Sequence, residues 1–304
     1  MSVTKQLKGP IVECVPNFSD GRRKRVIDTI CNEIDSVPNV KVLDVHSDYD
    51  HNRSVITFIG RPAAVLDAGV AAVRAAARLI DLREHEGVHP RLGAADVIPL
   101  IPIRDVSMEE CVKLAREMAK RIWLELDIPT YLYGNAALKK DRVRLEKVRL
   151  KGFEQMRELV LKEKKRRPDF GGPALHPSAG ASIVGARAPL IAFNVNLKSR
   201  DIGVAKEIAE AIREKNSGLV GLKAMGLRLS SGGCVQVSTN ITRTDLVSPY
   251  KVYELVRMEA EKRGVRAACS ELVGLMPLDS LMISMKDAVK FESFDRSNVI
   301  EFGQ

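Results

Sequence analysis

The sequence predicts a mixed α/β protein made of two similar units, and three observations support this prediction. The 304 residues are enough for about two domains. Hydrophobic residues make up 45% of the chain and charged residues 29%, which is the balance of a globular protein. The periodicity of the apolar residues alternates between that of strands and that of helices, and it gives the order β-α-β-β-α-β twice.

In the first half, short β-rich runs that end at Pro, Asn or Gly predict strands, and apolar residues at three- to four-residue spacing predict helices. The predicted strands are 11–15, 40–45, 55–59 and 94–103, and the predicted helices are 21–36 and 62–80. Pro62 suits the first turn of the second helix. A capping box from Ser107 to Glu110 predicts a further helix that ends near residue 126, and a strand follows at 130–133.

The boundary between the two units is predicted near residue 185. Residues 136–165 are highly charged and are predicted to be helical and largely exposed, whereas the Gly-, Pro- and Ser-rich segment 169–185 is predicted to be a loop. The predicted domains are therefore 1–185 and 186–304. In the second half the predicted strands are 190–196, 219–229, 234–241 and 266–275, and the predicted helices are 201–215 and 249–264.

The repeated order is the split β-α-β, or ferredoxin-like, arrangement. Such a unit has an antiparallel sheet with two helices on one face, so its other face is bare. Two bare faces can either cover each other or form a cleft, and a cleft between domains is a favoured place for a ligand.

Composition limits the class of protein. The longest apolar run, 97–103, is interrupted by prolines, so no membrane span is expected, and residues 1–10 lack the apolar core of a secretory signal. Five cysteines at wide spacing, with no C-x-x-C, indicate neither a disulfide framework nor a cysteine-rich zinc site. A cytoplasmic protein is therefore expected.

The chain is basic, since 48 Lys and Arg outnumber 39 Asp and Glu for a net charge of +9. This surplus suits nucleic acid, an acidic surface or a polyanionic small molecule. An RNA-binding sheet of this type needs aromatic side chains on its central strands. Strand 190–196 offers only Phe193 and strand 234–241 offers none, so no nucleic-acid partner is expected.

Four of the five histidines lie in two short segments, 44–53 and 81–96. His85 to His89 matches the H-E-x-x-H zinc pattern, but that pattern needs one helical face. Gly87 inside it and Pro90 after it disfavour a helix, so no metal site is expected. A loop histidine beside an arginine suits acid–base chemistry on a carboxylate substrate, which makes His89 and Arg91 candidates.

Small residues dominate the segment Ser178–Arg187. It lacks the Lys-[Ser/Thr] of a phosphate-binding P-loop. Its glycines and alanines allow either the close approach of a flat ligand or an interdomain hinge, and the sequence pattern alone leaves both readings open.

At these residues the chain resembles the glutamate formimidoyltransferase family. The matching segments occur in the same order over roughly residues 11–280. They are 12–21, 52–55, 60–62, 87–97, 131–134, 168–171, 184–187, 192–197, 237–240 and 272–275.

The resemblance implies a stand-alone folate-dependent transferase without the cyclodeaminase domain. Its co-substrate would be tetrahydrofolate, and it would move a formimidoyl group to or from a glutamate amine during histidine breakdown. The resemblance also implies two ferredoxin-like subdomains with a tunnel between them, and a homodimer. No metal is required.

The resemblance places the family's catalytic histidine at His89. It places the folate-binding loop at Gly172, Pro173, Ala174, Leu175, His176, Pro177, Ser178, Ala179, Gly180 and Ala181. Arg53 and Arg91 are expected to hold the carboxylates of glutamate or of the folate tail.

Two positions depart from the animal enzyme of the family. His46 stands where an aspartate associated with substrate binding is expected, and Ala179 stands where a tryptophan of the folate loop is expected. His46, Asp48 and His51 are the residues expected to take over the lost polar role. The departures keep three alternatives open: a formyl cargo, glycine as the acceptor, and a folate-binding protein without catalysis.

Overall fold

The computed structural model describes residues 7–49, 51–87, 90–149, 152–216, 218–229 and 234–300. The chain divides into two compact units, 1–187 and 188–304.

Unit 1 begins with the predicted alternation of strands and helices. Its first elements are β1 (Ile11–Cys14), β2 (Asn17–Phe18), α1 (Lys24–Asp35), β3 (Val40–Asp48), β4 (Arg53–Gly60), α2 (Pro62–Leu79) and β5 (Ala95–Arg104). They are followed by α3 (Met108–Leu126), β6 (Thr130–Gly134), α4 (Leu145–Val148), α5 (Gly152–Lys162) and β7 (Ser182–Ala186). The capping box predicted at the start of α3 is confirmed.

The sheet of unit 1 starts as a ferredoxin-like sheet and then continues. β1 and β2 both lie between β4 and β5, so they form one interrupted strand, and the order β3-β4-β1/β2-β5 is the ferredoxin-like order. β7 and β6 extend the sheet beyond β5 as parallel strands. The antiparallel sheet predicted for 11–103 is therefore confirmed, and the two parallel strands beyond β5 are an addition that was not predicted.

The prediction of a loop over 169–185 is wrong at its C-terminal end. Residues 182–186 are buried throughout and form β7, which lies between β5 and β6. Only two of its five residues, Ile183 and Val184, are large and apolar. Such a short run shows no hydrophobic periodicity. The neighbouring Gly and Ala residues therefore led to the prediction of a loop.

Unit 2 has the predicted ferredoxin-like fold. Its elements are β8 (Ile191–Leu197), α6 (Ile202–Ile212), β9 (Leu222–Arg228), β10 (Val235–Ile241), α7 (Pro249–Glu261) and β11 (Ala267–Val273). The strand order is β11-β8-β10-β9, and every pairing is antiparallel. A last helix, α8 (Leu278–Val289), was not predicted. Across the described parts of both units, no helix has the length and apolar character to span a bilayer.

The core of unit 1 lies between the sheet and the layer of α1, α2 and α3. Ile56 and Phe58 of β4 pack there against apolar residues of the helices, including Ile30 and Val73. Side chains alternate along a strand, so the neighbours of Ile56 and Phe58 lie on the opposite face of the sheet. That face carries the polar residues that the sequence singled out.

Most described residues of the charged segment 136–165 are exposed, as predicted, and a buried ion pair fixes the segment to the edge strand β6. Arg142 lies 2.6 Å from Asp169, and their side chains are 5% and 2% exposed. Asp169 also accepts the backbone N–H of Leu132 in β6, and the Arg142 guanidinium lies over the Tyr131 ring. The segment forms α4, α5 and short turns rather than one helix.

We expect Asp169→Asn to lower the free energy of unfolding of unit 1 by about 3–5 kcal/mol, because it leaves the buried Arg142 charge without its carboxylate. Urea denaturation followed by circular dichroism measures this change. Glu158→Gln is the matched control, since the exposed Lys162–Glu158 pair is 3.5 Å apart; it should cost less than about 1 kcal/mol. Equal effects of the two substitutions would contradict the prediction.

Candidate functional site

The predicted binding residues of β3 and β4 share the face of the unit 1 sheet that lies opposite the helices. In the strand register, Asp48 is opposite Arg53, and His46 is opposite Val55. Asn17 of β2 is opposite the same Val55. The fold therefore brings His46, Asp48, Arg53 and Asn17 to one patch.

Asp96, at the start of β5, is the centre of this patch. Its carboxylate is 1% exposed and lies 2.6 Å from Nη1 of Arg149 and 3.3 Å from Nη1 of Arg53. It also accepts the backbone N–H of Leu92 at 2.8 Å. One buried carboxylate thus orients two arginines and the loop before β5, and the group keeps a local excess of one positive charge.

Arg53 remains a cation at neutral pH although it is buried. Burial and, to a smaller extent, the nearby Arg149 lower the pKa of its guanidinium to about 10, against the opposing effect of Asp96. The Nε of Arg53 donates to Oδ1 of Asn17 at 3.1 Å. Its Nη2 also donates to Asn17 and its Nη1 to Asp96, so these contacts hold a charged guanidinium in a fixed position within the patch.

Arg91 holds its own loop together. Its Nη2 donates to the carbonyl of His85 at 2.9 Å and pairs with Glu154 of α5 at 2.7 Å. It also reaches the carbonyl of Leu82. Arg91 therefore connects the loop that follows α2 to α5. Substrate binding by Arg91 stays a prediction.

Asn52 joins the β3–β4 turn to the loop after α2. Its side chain accepts the N–H of Gly21 at 2.9 Å and donates to the carbonyl of Glu86 at 2.9 Å. A Cβ at Gly87 would come within 2.5 Å of the His51 carbonyl, so the two segments touch where Gly87 lacks a side chain. The turn thus contacts the loop immediately before the predicted catalytic position.

His51 and Asp48 form an imidazole–carboxylate pair within this turn. Nδ1 of His51 lies 2.8 Å from Oδ2 of Asp48, and both side chains are partly exposed. A carboxylate on Nδ1 fixes the orientation of an imidazole.

His89 lies outside the described residues, so its predicted catalytic role stays a prediction. His85 is described, and residues 85–87 are not helical. Its Nε2 lies 2.9 Å from the Asn52 carbonyl, and burial lowers its pKa below the ordinary value of 6.5. A search of the residues with described positions finds no group of three His, Cys, Asp or Glu side chains that could hold a metal ion.

The predicted folate loop packs against the loop between α2 and β5. We call the described residues of that loop, 81–87 and 90–94, the histidine loop. The backbone N–H of Leu82 donates to Ser178, that of Ala94 to Ala179, and that of Ala181 to Leu92. A Cβ at Gly180 would collide with the Leu92 carbonyl, so only glycine permits this approach. Two segments far apart in sequence therefore form one surface.

Within the predicted folate loop, residues 172–174 and Pro177 are exposed, whereas Leu175, Ala179, Gly180 and Ala181 are buried. His176 closes the loop. Its Nδ1 accepts the backbone N–H of Ala179 at 2.9 Å, and His176 and Gly180 exchange two backbone hydrogen bonds. Burial lowers the pKa of His176 below 6.5, although Asp127 and Asp81 oppose this effect.

Sequence reasoning missed several residues of the patch as site residues. Asp96 and Asn17 lie in matching segments, which was a usable signal. Arg149 lies in the charged segment 136–165, where nothing distinguishes one buried arginine from its exposed neighbours.

Comparison with known proteins now defines the family. The profile described as "Formiminotransferase domain, N-terminal subdomain" matches residues 11–187, and that described as "Formiminotransferase domain" matches residues 192–295. The chain belongs to the formiminotransferase family. The resemblance noted from the sequence is therefore confirmed, and the patch around Asp96 lies in the N-terminal subdomain of this family.

Three relatives illustrate the match. The chain is 47% identical to the glutamate formimidoyltransferase of Thermoplasma acidophilum, with 96% of each chain covered. It is 41% identical to that of Streptococcus pyogenes, covering 94% of this chain and 95% of the relative. It is 42% identical to the formimidoyltransferase-cyclodeaminase of Rattus norvegicus, covering 90% of this chain but 51% of the relative.

We expect acidification to destabilise this formiminotransferase through His176. Its folded-state pKa is lowered, so its contribution to stability is present above pH 6.5 and is lost as the pH falls through the lower folded value. Asn accepts the same backbone N–H without titrating, so His176→Asn should lose less free energy of unfolding than the wild type between about pH 7 and about pH 5. Thermal unfolding across this range measures the difference. An equal pH dependence of the free energy of unfolding in the two proteins would contradict the prediction. His85 also has a lowered pKa, but it is present in both proteins and does not contribute to the difference between them.

Proposed function

We propose that this chain is a glutamate formimidoyltransferase, which moves the formimidoyl group between N-formimidoyl-L-glutamate and N5 of tetrahydrofolate. The observation that carries the proposal is the match to two enzymes of that name over almost their whole length, at 47% and 41% identity. The match covers 96% and 95% of the length of these two relatives.

The geometry of unit 1 suits these substrates. Glutamate and the folate tail are both carboxylates, and the patch around Asp96 offers Arg53 and Arg149 against a single buried acid. Arg53 is held by Asn17 and Asp96, so it would lose little conformational entropy when it binds an anion. His46, Asp48 and His51 border the same face and are proposed to line the pocket.

The reaction moves protons as well as carbon. The attacking nitrogen gives up one proton, and the departing nitrogen takes one up, so a single acid–base residue can serve both steps. We assign this role to His89, on the strength of the resemblance. A positioned group of this kind typically contributes about 10²–10⁴-fold, and holding the two reactants in line supplies much of the remainder.

The proposal includes a cytoplasmic homodimer that uses tetrahydrofolate as its co-substrate. The support for the dimer is the family resemblance. The support for the cytoplasm is that all five cysteines are free, as is usual in a reducing compartment.

The proposed function is tested by mixing the purified protein with tetrahydrofolate and N-formimidoyl-L-glutamate and following 5-formimidoyltetrahydrofolate. We expect turnover by the wild type and a loss of about 10²-fold or more in His89→Ala, with tetrahydrofolate still bound. N-formimidoylglycine and 5-formyltetrahydrofolate are run beside it. Preference for either of these would replace the glutamate formimidoyl assignment, and binding without any turnover would indicate a folate-binding protein.

We further expect Arg149→Met to raise KM for an anionic substrate by about tenfold, or ~1.4 kcal/mol. Without Arg149, Asp96 is neutralised by Arg53 alone, and the excess positive charge of the patch is lost. Steady-state kinetics with each substrate varied in turn measure KM. Arg144→Met, an exposed arginine of the same segment, is the control and should leave KM unchanged. An unchanged KM for both substrates in Arg149→Met would remove the patch from substrate binding.

A further inference from the structure

An acidic residue, Glu13, lies among apolar residues on the face of the unit 1 sheet opposite the helices. Val12 and Cys14 of β1 belong to the core beneath the helices, so Glu13 between them lies on the other face. Its partners in the strand register are Ile59 of β4 and Ile101 of β5, and both are buried. Glu13 is half-buried in this apolar setting and remains accessible to a ligand.

The carboxylate of Glu13 has no partner of its own within the part of the chain that the structure describes. It forms no ion pair and accepts no hydrogen bond there. Burial raises its pKa, and the charge of Arg187 opposes this effect. An ionised carboxylate in such a place lowers the stability of the fold, so folding alone gives no reason for its presence. Titratable groups of this kind cluster at functional sites.

Two arginines and a tyrosine connect Glu13 to the patch around Asp96. The Arg187 side chain, whose charge acts on Glu13, is hydrogen-bonded to the Tyr133 hydroxyl. Burial raises the pKa of this hydroxyl, and the charges of Arg187 and Arg149 oppose the effect. Arg149 in turn pairs with Asp96 at 2.6 Å. Glu13 is therefore a carboxylate at one end of a continuous row of cations.

The group that the proposed reaction transfers has a charge opposite to that of this carboxylate. A formimidoyl group is an amidine, which is a stronger base than an amine and is a planar amidinium cation at neutral pH. Its two nitrogens carry N–H donors on either side of one carbon, as in a guanidinium, so it can bind a carboxylate through two parallel hydrogen bonds. The rest of N-formimidoyl-L-glutamate carries two carboxylates, which arginines attract. The substrate thus has the same pairing of charges as this region, with the signs reversed.

We propose that Glu13 binds the formimidoyl group of the substrate as an amidinium. Its carboxylate accepts N–H groups of the amidinium, while the neighbouring arginines face the carboxylates of the substrate. This contact keeps the amidine protonated, and an amine attacks the carbon of a protonated amidine more readily. The inference rests on the proposed function and deepens it, because it names the residue that distinguishes a formimidoyl cargo from an uncharged formyl cargo.

The test compares Glu13→Gln with Glu33→Gln, which makes the same charge change on α1, in the helix layer on the other side of the sheet. Steady-state kinetics at saturating tetrahydrofolate give KM of N-formimidoyl-L-glutamate. Inhibition by N-formyl-L-glutamate, whose formyl group is uncharged, gives a Ki.

We expect Glu13→Gln to raise KM of the formimidoyl donor by about 10–100-fold, the range for loss of a charged hydrogen bond. Ki of the formyl analogue and KM of tetrahydrofolate should stay within about threefold, because neither depends on an amidinium. Glu33→Gln should change none of the three values.

Glu13→Gln should fold, because it keeps the shape of the side chain and removes a charge from an apolar setting. The folded-state pKa of Glu13 is raised, so its ionised form destabilises the fold at pH values above that pKa. The Tm of Glu13→Gln at pH 7 should therefore equal or exceed that of the wild type. A substitution that weakens substrate binding without lowering stability is the behaviour expected of a binding residue.

Two results would overturn the proposal. One is an unchanged KM of the formimidoyl donor in Glu13→Gln. The other is an equal rise in KM of the donor and in Ki of the formyl analogue, since Glu13 would then not recognise the charge of the group. In both cases wild-type turnover of the glutamate donor leaves the proposed function standing. A wild type without turnover of this donor removes the function and the inference together.

Discussion

The buried carboxylate of Asp96 is the constraint on which the unit 1 site depends. It lies at the start of β5 and contacts Arg53 of β4, Arg149 after α4 and the backbone of Leu92. A buried carboxylate that loses its partners has a high free energy. Separating any of these four segments would leave Asp96 in that state, so the contacts of Asp96 hold the segments together. The same contacts give the cluster of Asp96, Arg53 and Arg149 one net positive charge, because two arginines share this buried acid. Positioning and charge therefore have one physical origin.

The loops around this patch are positioned by backbone contacts rather than by helices or strands of their own. Gly93 and Gly180 let the histidine loop and the predicted folate loop approach until their backbones bond. Asn52 then joins the histidine loop to the β3–β4 turn. Because each contact uses a fixed backbone donor or acceptor, the loops are placed as accurately as the sheet beneath them. This is how the described residues of 46–53 and of 81–94 form one region with residues 172–181.

The sequence was sufficient for the parts of the fold that depend on local periodicity. The order β-α-β-β-α-β, the capping box at Ser107 and the clustering of the β3–β4 residues all follow from spacing along the chain. β7 could not be found in this way, because its strand identity comes from burial between β5 and β6. Arg149 could not be found for the same reason: its partner Asp96 is 53 residues away, and only the fold brings them together. The resemblance located the segments of the site but not the contacts within them.

The two units show why topology alone does not determine what a sheet binds. Both units contain the same ferredoxin-like strand order. In each unit the two helices that belong to this arrangement lie on one face of the sheet, so the other face carries neither of them. In unit 1 that face is dominated by Arg53 and Arg149, which favour anions. In unit 2 it carries Glu271 and amides, so a carboxylate and neutral hydrogen-bonding groups replace the arginines. The same strand order therefore presents faces of opposite character, because a few side chains on the scaffold determine which ligand chemistry each face attracts.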